Sequence, residues 1–410
     1  MADKLKSFFE KFVILFIQPL WSFLFSFSVY LGISTLRGSP FRVSEFPYYS
    51  YLADAFLHGQ LHLRLIPKIL HDLSYFGGKH YLYWPPMPGV VLMPFVAIFG
   101  VTFSDVLFCL TLGAVNVALI SHLLSLAQHE GLINLSVFQR GILVIFFAFG
   151  TVQFPIAPLG QVWFIGQLTG FCFVALSYIA ALSLRGSKAF FFTGLAIACA
   201  MLTRNHLIFL GIWPGVYLIS KHWADKPLLL RNTVLALIPP FLLGVLFLVY
   251  NYQRFGSWTE VGISYHKMAE FFIADYKKYG YFNIHYVPIN FYYQYIFYPL
   301  PLRPETLMGG SLFLLSPIFA GVFLVNFKKD RKLDLITLLI SILLTNLPIL
   351  LLMGTGWVQF GPRYTLDFTV PLLLFCAMGI KRMPNLPLIL CTAISILHYS
   401  IGAYLFATGL

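Results

Sequence analysis

The 410-residue chain is 59% hydrophobic and 10% charged, which leaves too little polar surface to cover a water-soluble globule and points to an all-α polytopic membrane protein. Its formal charge of +12 gives no sign of nucleic acid, because the Lys and Arg residues fall in short clusters between apolar segments, as cytoplasmic loops do. Cys109, Cys172, Cys199, Cys376 and Cys391 lie inside apolar segments without CxxC spacing, so neither a disulfide framework nor a zinc site is indicated.

Lys4, Lys6 and Lys11 precede an apolar run over 12–36. The run is long enough to span and ends without a small-residue cleavage site, so it reads as an uncleaved anchor with the N-terminus inside. A polar stretch over 37–84 then interrupts the chain. Within it Tyr48, Tyr51, Leu52, Ala55 and Phe56 follow helical spacing, and Ser50, Asp54 and His58 recur every four residues opposite them. This spacing predicts an amphipathic helix lying in the membrane interface, with Asp54 and His58 on its solvated face.

Residues 85–102 are apolar but short and carry Pro85, Pro86, Pro88 and Pro94. Further spans are predicted at about 104–127, 138–154, 161–184, 188–203, 204–221, 229–250, 309–327, 333–353, 366–380 and 385–405. Their basic connections at 185–188, 221–231, 328–332 and 381–382 belong inside. That orientation keeps the 37–84 stretch outside only if 85–102 does not cross, so 85–102 reads as a juxtamembrane or re-entrant helix. The expectation is one domain over 1–410 with about eleven spans, in a range of ten to thirteen, the N-terminus in and the C-terminus out. Two long outer loops, at about 37–103 and 251–308, carry juxtamembrane helices. The second is dense in Tyr and Phe, a composition that orders against a bilayer surface instead of forming a linker. No internal repeat or separate soluble domain is visible, which counts against transporter folds built from duplicated halves.

Few polar residues remain as candidates for chemistry. Glu45 follows the first span closely enough to sit at the mouth of an outward cavity, although a lone loop glutamate is most often simply solvated. His58, His62, His71 and His80 match no metal-ligand spacing. Arg204 lies between two apolar segments, where a guanidinium either snorkels to the interface or binds a charged group. Arg363 sits just before another span with Asp367 one helical turn later. Together with Arg254 and Arg303 these arginines form an outer set suited to a lipid phosphate or diphosphate. Such a set also stabilises a phosphate leaving group.

The stretches SEFPYYSYLADAFLHG and GGKHYLYWPPMPGVVLMPFVAIFG, followed by GLAIACAMLTRNHLIFL, NYQRFGSWTEVGISY and QFGPRYTLDFTVPLLL, resemble the C-type membrane glycosyltransferases, including mannosyl- and aminoarabinose-transferase relatives that use polyprenyl-phosphate sugars. The resemblance implies transfer of a hexose or pentose from a lipid-phosphate donor to a glycan, lipid or protein acceptor on the outer face of a membrane, expected to be a bacterial inner membrane. It implies that Glu45 serves as catalytic base or positions the acceptor. Where the family often has an Asp-Glu or Asp-Asp pair this chain has Ser44–Glu45, which leaves Asp54 or Asp72 as substitutes. The donor phosphate is then expected on Arg204 and Arg363, and Tyr48, Tyr81, Trp84 and Trp258 are candidates to stack on sugar faces. A divalent metal is compatible with this chemistry but is not indicated by the residues. The competing reading, a transporter or flippase of lipid-linked saccharides, would use the same arginines without a base.

Overall fold

Helices dominate the structure, as they must where lipid offers no hydrogen-bond partner to a peptide group. The computed structural model describes residues 2–303, 307–326, 331–354 and 358–408, with side chains from residue 9 onward. The predicted anchor is two helices, α1 (Ala2–Leu15) and α2 (Pro19–Leu36). Pro19 has no N–H to continue the ladder of α1 and opens the first turn of α2 instead. The first long loop holds α3 (Tyr48–Leu57), the hairpin of β1 (Ser74–Phe76) and β2 (Lys79–Tyr81), and α4 (Met87–Phe99). Gly77 and Gly78, at φ +55 and +76, supply the two left-handed residues that so tight a hairpin turn requires.

The bundle continues through α5 (Asp105–His129), α6 (Val137–Phe149), the single turn α7 (Gln153–Ile156), α8 (Val162–Ser183), α9 (Gly186–Met201), α10 (Ile212–Lys221) and α11 (Lys226–Phe255). The second long loop forms α12 (Glu270–Tyr279) and α13 (Val287–Phe291). Then come β3 (Met308–Gly309), α14 (Leu312–Leu315), α15 (Lys332–Leu351), β4 (Gln359–Phe360), α16 (Thr369–Gly379) and α17 (Asn385–Thr408). The two short strands β3 and β4 pair in parallel.

Among the described residues, 7 helical stretches are long and apolar enough to cross a membrane. They are α2, α5, α8, α11, α15, the stretch Arg363–Arg382 around α16, and α17. The chain is therefore an all-α integral membrane protein, as its composition required. Several expected spans are shorter or broken. Those at 138–154 and 188–203 are the shorter helices α6 and α9, and 204–221 divides into a 3-10 helix, Asn205–Gly211, and α10. The one at 309–327 breaks at Ser316, where Pro317 starts a 3-10 helix, Pro317–Leu324. Part of the expected basic connection at 328–332, residues 328–330, lies outside the described residues. With 13 residues, α4 is only about 20 Å long, short of a hydrocarbon core of about 30 Å.

Small residues set the closest helix contacts, as in other membrane bundles. A Cβ added at Gly194 of α9 would fall on the Ala236 carbonyl of α11. The opposite flank of α11 exposes Leu230, Leu237, Phe241 and Leu246, a surface suited to lipid tails.

The helix α3 corrects an expectation. Ser50 and Asp54, predicted on a solvated face, are buried, and only His58 of that row is exposed. Arg64 grips both Asp54 oxygens, at 2.9 and 3.0 Å. Periodicity sees a helix in isolation, whereas here the following loop folds back over the polar face while α4 covers the other. Further bonds stitch the two long loops to each other and to the bundle. Lys267 N–H donates to the Leu73 carbonyl at 2.9 Å and Ser74 Oγ to the Gly262 carbonyl at 2.7 Å. Asn283 N–H donates to the Leu351 carbonyl at 2.9 Å, and Gly361 N–H to the Gly309 carbonyl at 2.9 Å. The aromatic second loop is thus ordered, and with the first loop it forms one layer over one end of the bundle.

Candidate active site

Beneath this layer two helix starts deliver basic side chains. Arg204 stands where α9 ends and the chain tightens into Asn205–Gly211. Arg363 and Asp367 ride on a 3-10 turn, Arg363–Phe368, that leads into α16. The turn is set by Pro362 and by Gly361, which adopts φ +80 with its Cα against the Tyr399 ring. The fully buried Asp367 carboxylate lies 2.9 Å from Arg204 Nε and 2.8 Å from His206 Nε2. Both guanidinium groups flank the Tyr364 ring, Arg204 at 4.9 Å and Arg363 at 5.0 Å. The Nε atoms of Arg204 and Arg363 are buried without an aligned hydrogen-bond acceptor among the described residues. Two guanidinium groups thus stand on one ring while the carboxylate of Asp367 pairs with Arg204, a positive excess in a place shielded from water, which is the condition under which an anion binds most strongly.

Facing this cluster is Asp72. Its backbone is held at φ +63, a left-handed conformation that Asp tolerates better than most residues and that persists only when its surroundings impose it. Its N–H donates to the Lys267 carbonyl at 3.2 Å, and the Tyr48 hydroxyl lies 2.9 and 2.8 Å from the carbonyls of Ile69 and His71 just before it. The Asp72 carboxylate accepts from Trp163 Nε1 at 3.0 Å and lies 2.9 Å from His266 Nε2 and 3.4 Å from His71 Nε2.

Aromatic residues join the two halves. Trp163, bonded to Asp72, is followed by Phe164, whose ring lies 5.5 Å from the Arg363 guanidinium, and Gln167 donates to the Arg363 carbonyl at 3.2 Å. Tyr83 packs on His266 at 4.6 Å and on Trp84 at 4.2 Å, and its hydroxyl is hydrogen-bonded to that of Tyr281. Burial pushes both phenols up, so they remain neutral hydrogen-bonding groups. Tyr281 lies within electrostatic range of both Asp72 and Arg204.

The other predicted residues are distributed unevenly. The Glu45 side chain is 64% exposed and lies 3.9 Å from Arg37. Its neighbour Phe46 packs on Trp163 at 4.8 Å, which puts Glu45 at the rim. Asp54 is occupied by Arg64 and stands away from the cluster. Arg254 donates to the Leu82 carbonyl at 2.7 Å and to Asn251 at 2.8 Å, under the Tyr250 ring. It fastens α11 to the first loop and is not presented to a ligand. Arg303 is exposed in the second loop. Tyr48 props the backbone before Asp72, Tyr81 packs on Phe255 at 5.1 Å, and Trp258 stacks on Tyr252 at 4.6 Å at the surface. Trp84 is edge-on, at 6.4 Å, to the Trp163 ring that bonds Asp72. Sequence reasoning missed Trp163, His206, His266, Tyr83, Tyr281 and Tyr364, which come from separate stretches with no shared spacing. It also missed Asp105, whose carboxylate accepts from the Ser44 N–H at 2.7 Å and hydroxyl at 2.5 Å and so shapes the turn that carries Glu45. Among the described residues no group of three or more His, Cys, Asp or Glu side chains is arranged to hold a metal ion.

The helical bundle and the loop layer at one end of it have counterparts among solved structures. The fold is similar to that of ArnT and of an archaeal oligosaccharyltransferase. ArnT from Cupriavidus metallidurans in the apo state aligns over 94% of this chain and 75% of its own, with a TM-score of 0.53 at 12% identity. The same protein bound to undecaprenyl phosphate aligns over the same shares with a TM-score of 0.52 at 13% identity. The Archaeoglobus fulgidus oligosaccharyltransferase in the apo form gives 0.50 at 13% identity over 94% of this chain, which spans only 55% of that one. No family model matches the sequence, and no curated protein matches it significantly.

Proposed function

We propose that this protein is a glycosyltransferase that moves a sugar from a polyprenyl-phosphate carrier to an acceptor hydroxyl, with inversion, on the outer face of a bacterial inner membrane. The observation that carries the reading is the pair of guanidinium groups on Tyr364, of which Arg204 is paired with the Asp367 carboxylate and Arg363 is not. A lipid phosphate would complete that charge balance. The fold relative captured with undecaprenyl phosphate supports a carrier of this class.

In this mechanism Arg204 and Arg363 bind the donor phosphate. Asp72 takes the proton of the acceptor hydroxyl, with His266 at 2.9 Å fixing the carboxylate. The acceptor oxygen attacks the anomeric carbon, the bond from that carbon to the phosphate oxygen breaks, and the phosphate leaves with the electron pair. The arginines neutralise the charge that grows on it. Positive charge at the anomeric centre suits a facing carboxylate, as in glycoside hydrolysis. Glu45 at the rim receives the acceptor, and Trp84 offers a sugar-stacking face.

Purified enzyme and polyprenyl-phosphate sugars test the assignment. Asp72→Asn should lower turnover by a factor of about 100 or more while lipid-phosphate binding persists, and Glu45→Gln should act mainly on the acceptor KM. Normal turnover in Asp72→Asn, with the variant folded, removes Asp72 from the mechanism. Loss of turnover in Glu45→Gln alone returns the base to Glu45.

A further inference from the structure

At the end of the bundle away from the roofed site lies a half-open cavity of about 290 Å³, near the lower bound of roughly 300 Å³ for small-ligand pockets. Three helices fix its position. α5 starts beside Ser44 and reaches the cavity at Gly131, α16 runs to it from Asp367, and α15 runs from it toward the bond between Leu351 and Asn283. Arg331, Lys381 and Arg382 line it, and no acidic residue among the described residues does.

Among the described residues, two nearby carboxylates are already engaged. Glu130 is bonded to Lys221 at 2.6 Å and to the Tyr217 hydroxyl at 2.8 Å. Asp334 accepts from Trp213 Nε1 at 3.2 Å and lies 3.4 Å from Arg331. Arg331 is pinned by its donation to the Gly131 carbonyl at 2.9 Å, so its guanidinium is held in place beside the cavity. Lys381 and Arg382 form no ion pair among the described residues and are exposed. The opposite wall is apolar, with Ile133 and Leu335 buried behind it and Leu324 exposed at its edge, where a hydrocarbon chain continues outward without meeting a polar barrier. Asn134 and Asn326 add hydrogen-bonding groups.

We propose that this cavity binds the phosphate headgroup of an anionic phospholipid in the leaflet opposite the candidate site, with Lys381 and Arg382 as mobile clamps on a rigid Arg331. The assignment does not depend on the proposed transfer reaction. Free phosphate shares the charge chemistry but has no use for the apolar edge.

Phosphatidylglycerol and, separately, inorganic phosphate are titrated onto the full chain in neutral detergent, with bound species counted by native mass spectrometry. One tight phosphatidylglycerol should be retained. The double variant Lys381→Gln with Arg382→Gln, which alters two exposed side chains, should weaken it about 30-fold, from roughly fivefold per basic residue at an anionic surface. Equal retention by wild type and double variant overturns the proposal. So does displacement of the lipid by inorganic phosphate at equal concentration, which would assign the cavity to a soluble anion. Unchanged thermal unfolding of the double variant without lipid ensures that a lost signal reports binding.

Discussion

Replacing Arg363 with Met separates binding from folding better than any other change in the basic cluster. Arg363 makes no ion pair with Asp367, whose oxygen is held by Arg204 and His206 at 2.9 and 2.8 Å, so its removal leaves no buried carboxylate without a partner. Its main contacts are the faces of Phe164 and Tyr364 at 5.5 and 5.0 Å, which a methionine side chain also packs against. The loss therefore falls on the ligand. A charge-assisted hydrogen bond contributes about 1.5–3 kcal/mol, which at 1.4 kcal/mol per tenfold corresponds to a 10- to 150-fold rise in the Kd for a polyprenyl phosphate. Arg363 is half-buried and Arg204 remains, so the lower part of that range, about 10- to 40-fold, is expected. Arg363→Lys keeps the charge but not the planar fork and should fall between wild type and Met. The assay is quenching of intrinsic Trp fluorescence by a polyprenyl phosphate in nanodiscs. An unchanged Kd in a Met variant that unfolds like wild type would refute the placement of the phosphate on this pair.

Asp367→Asn acts in the opposite sense. It leaves the buried Arg204 without its carboxylate and should cost about 3–5 kcal/mol, seen as a lowered Tm in detergent that a polyprenyl phosphate partly restores. Gly194→Ala drives a methyl group into the Ala236 carbonyl and should cost about 1–3 kcal/mol, whereas Gly215→Ala, which meets nothing within 4 Å, should be neutral in the same melt. Lys221, and then the Tyr217 hydroxyl, hold the Glu130 carboxylate below its ordinary 4.5. A carboxylate lowered by folding contributes stability above its unfolded pKa and loses it as pH falls through the folded one. The Tm should thus hold from neutral pH to about pH 5 and decline below it, with a shallower decline in Glu130→Gln.

The all-helical membrane character was legible because an apolar excess of this size admits no other solution, and the shortness of the helix within 85–102 was legible from proline and length. The buried face of α3 was not. Asp54 looks solvated in its own window because the residue that satisfies it, Arg64, sits beyond the end of the helix. Arg204 and Arg363 stood out as charges beside apolar runs, so the basic half of the candidate site could be named in advance. The acidic half could be named only as an alternative, since what distinguishes Asp72 from Glu45 is its company. Trp163 and His266 are brought to it from 91 and 194 residues away, and no local pattern announces that meeting.

Those separations bear on how the protein is made. At a synthesis rate of about 5–20 residues per second, Asp72 waits on the order of 10–40 s for His266 to emerge. The bond from Arg37 to the Phe406 carbonyl spans 369 residues, nearly the whole chain. During that interval the Lys267 carbonyl that accepts the Asp72 N–H does not yet exist. The first loop can form its own helix and hairpin early, whereas its bonds to residues 262–267 of the second loop come later. A nascent chain stalled before the Arg363–Phe368 turn would carry Glu45, Asp72 and Arg204 but neither Arg363 nor Asp367.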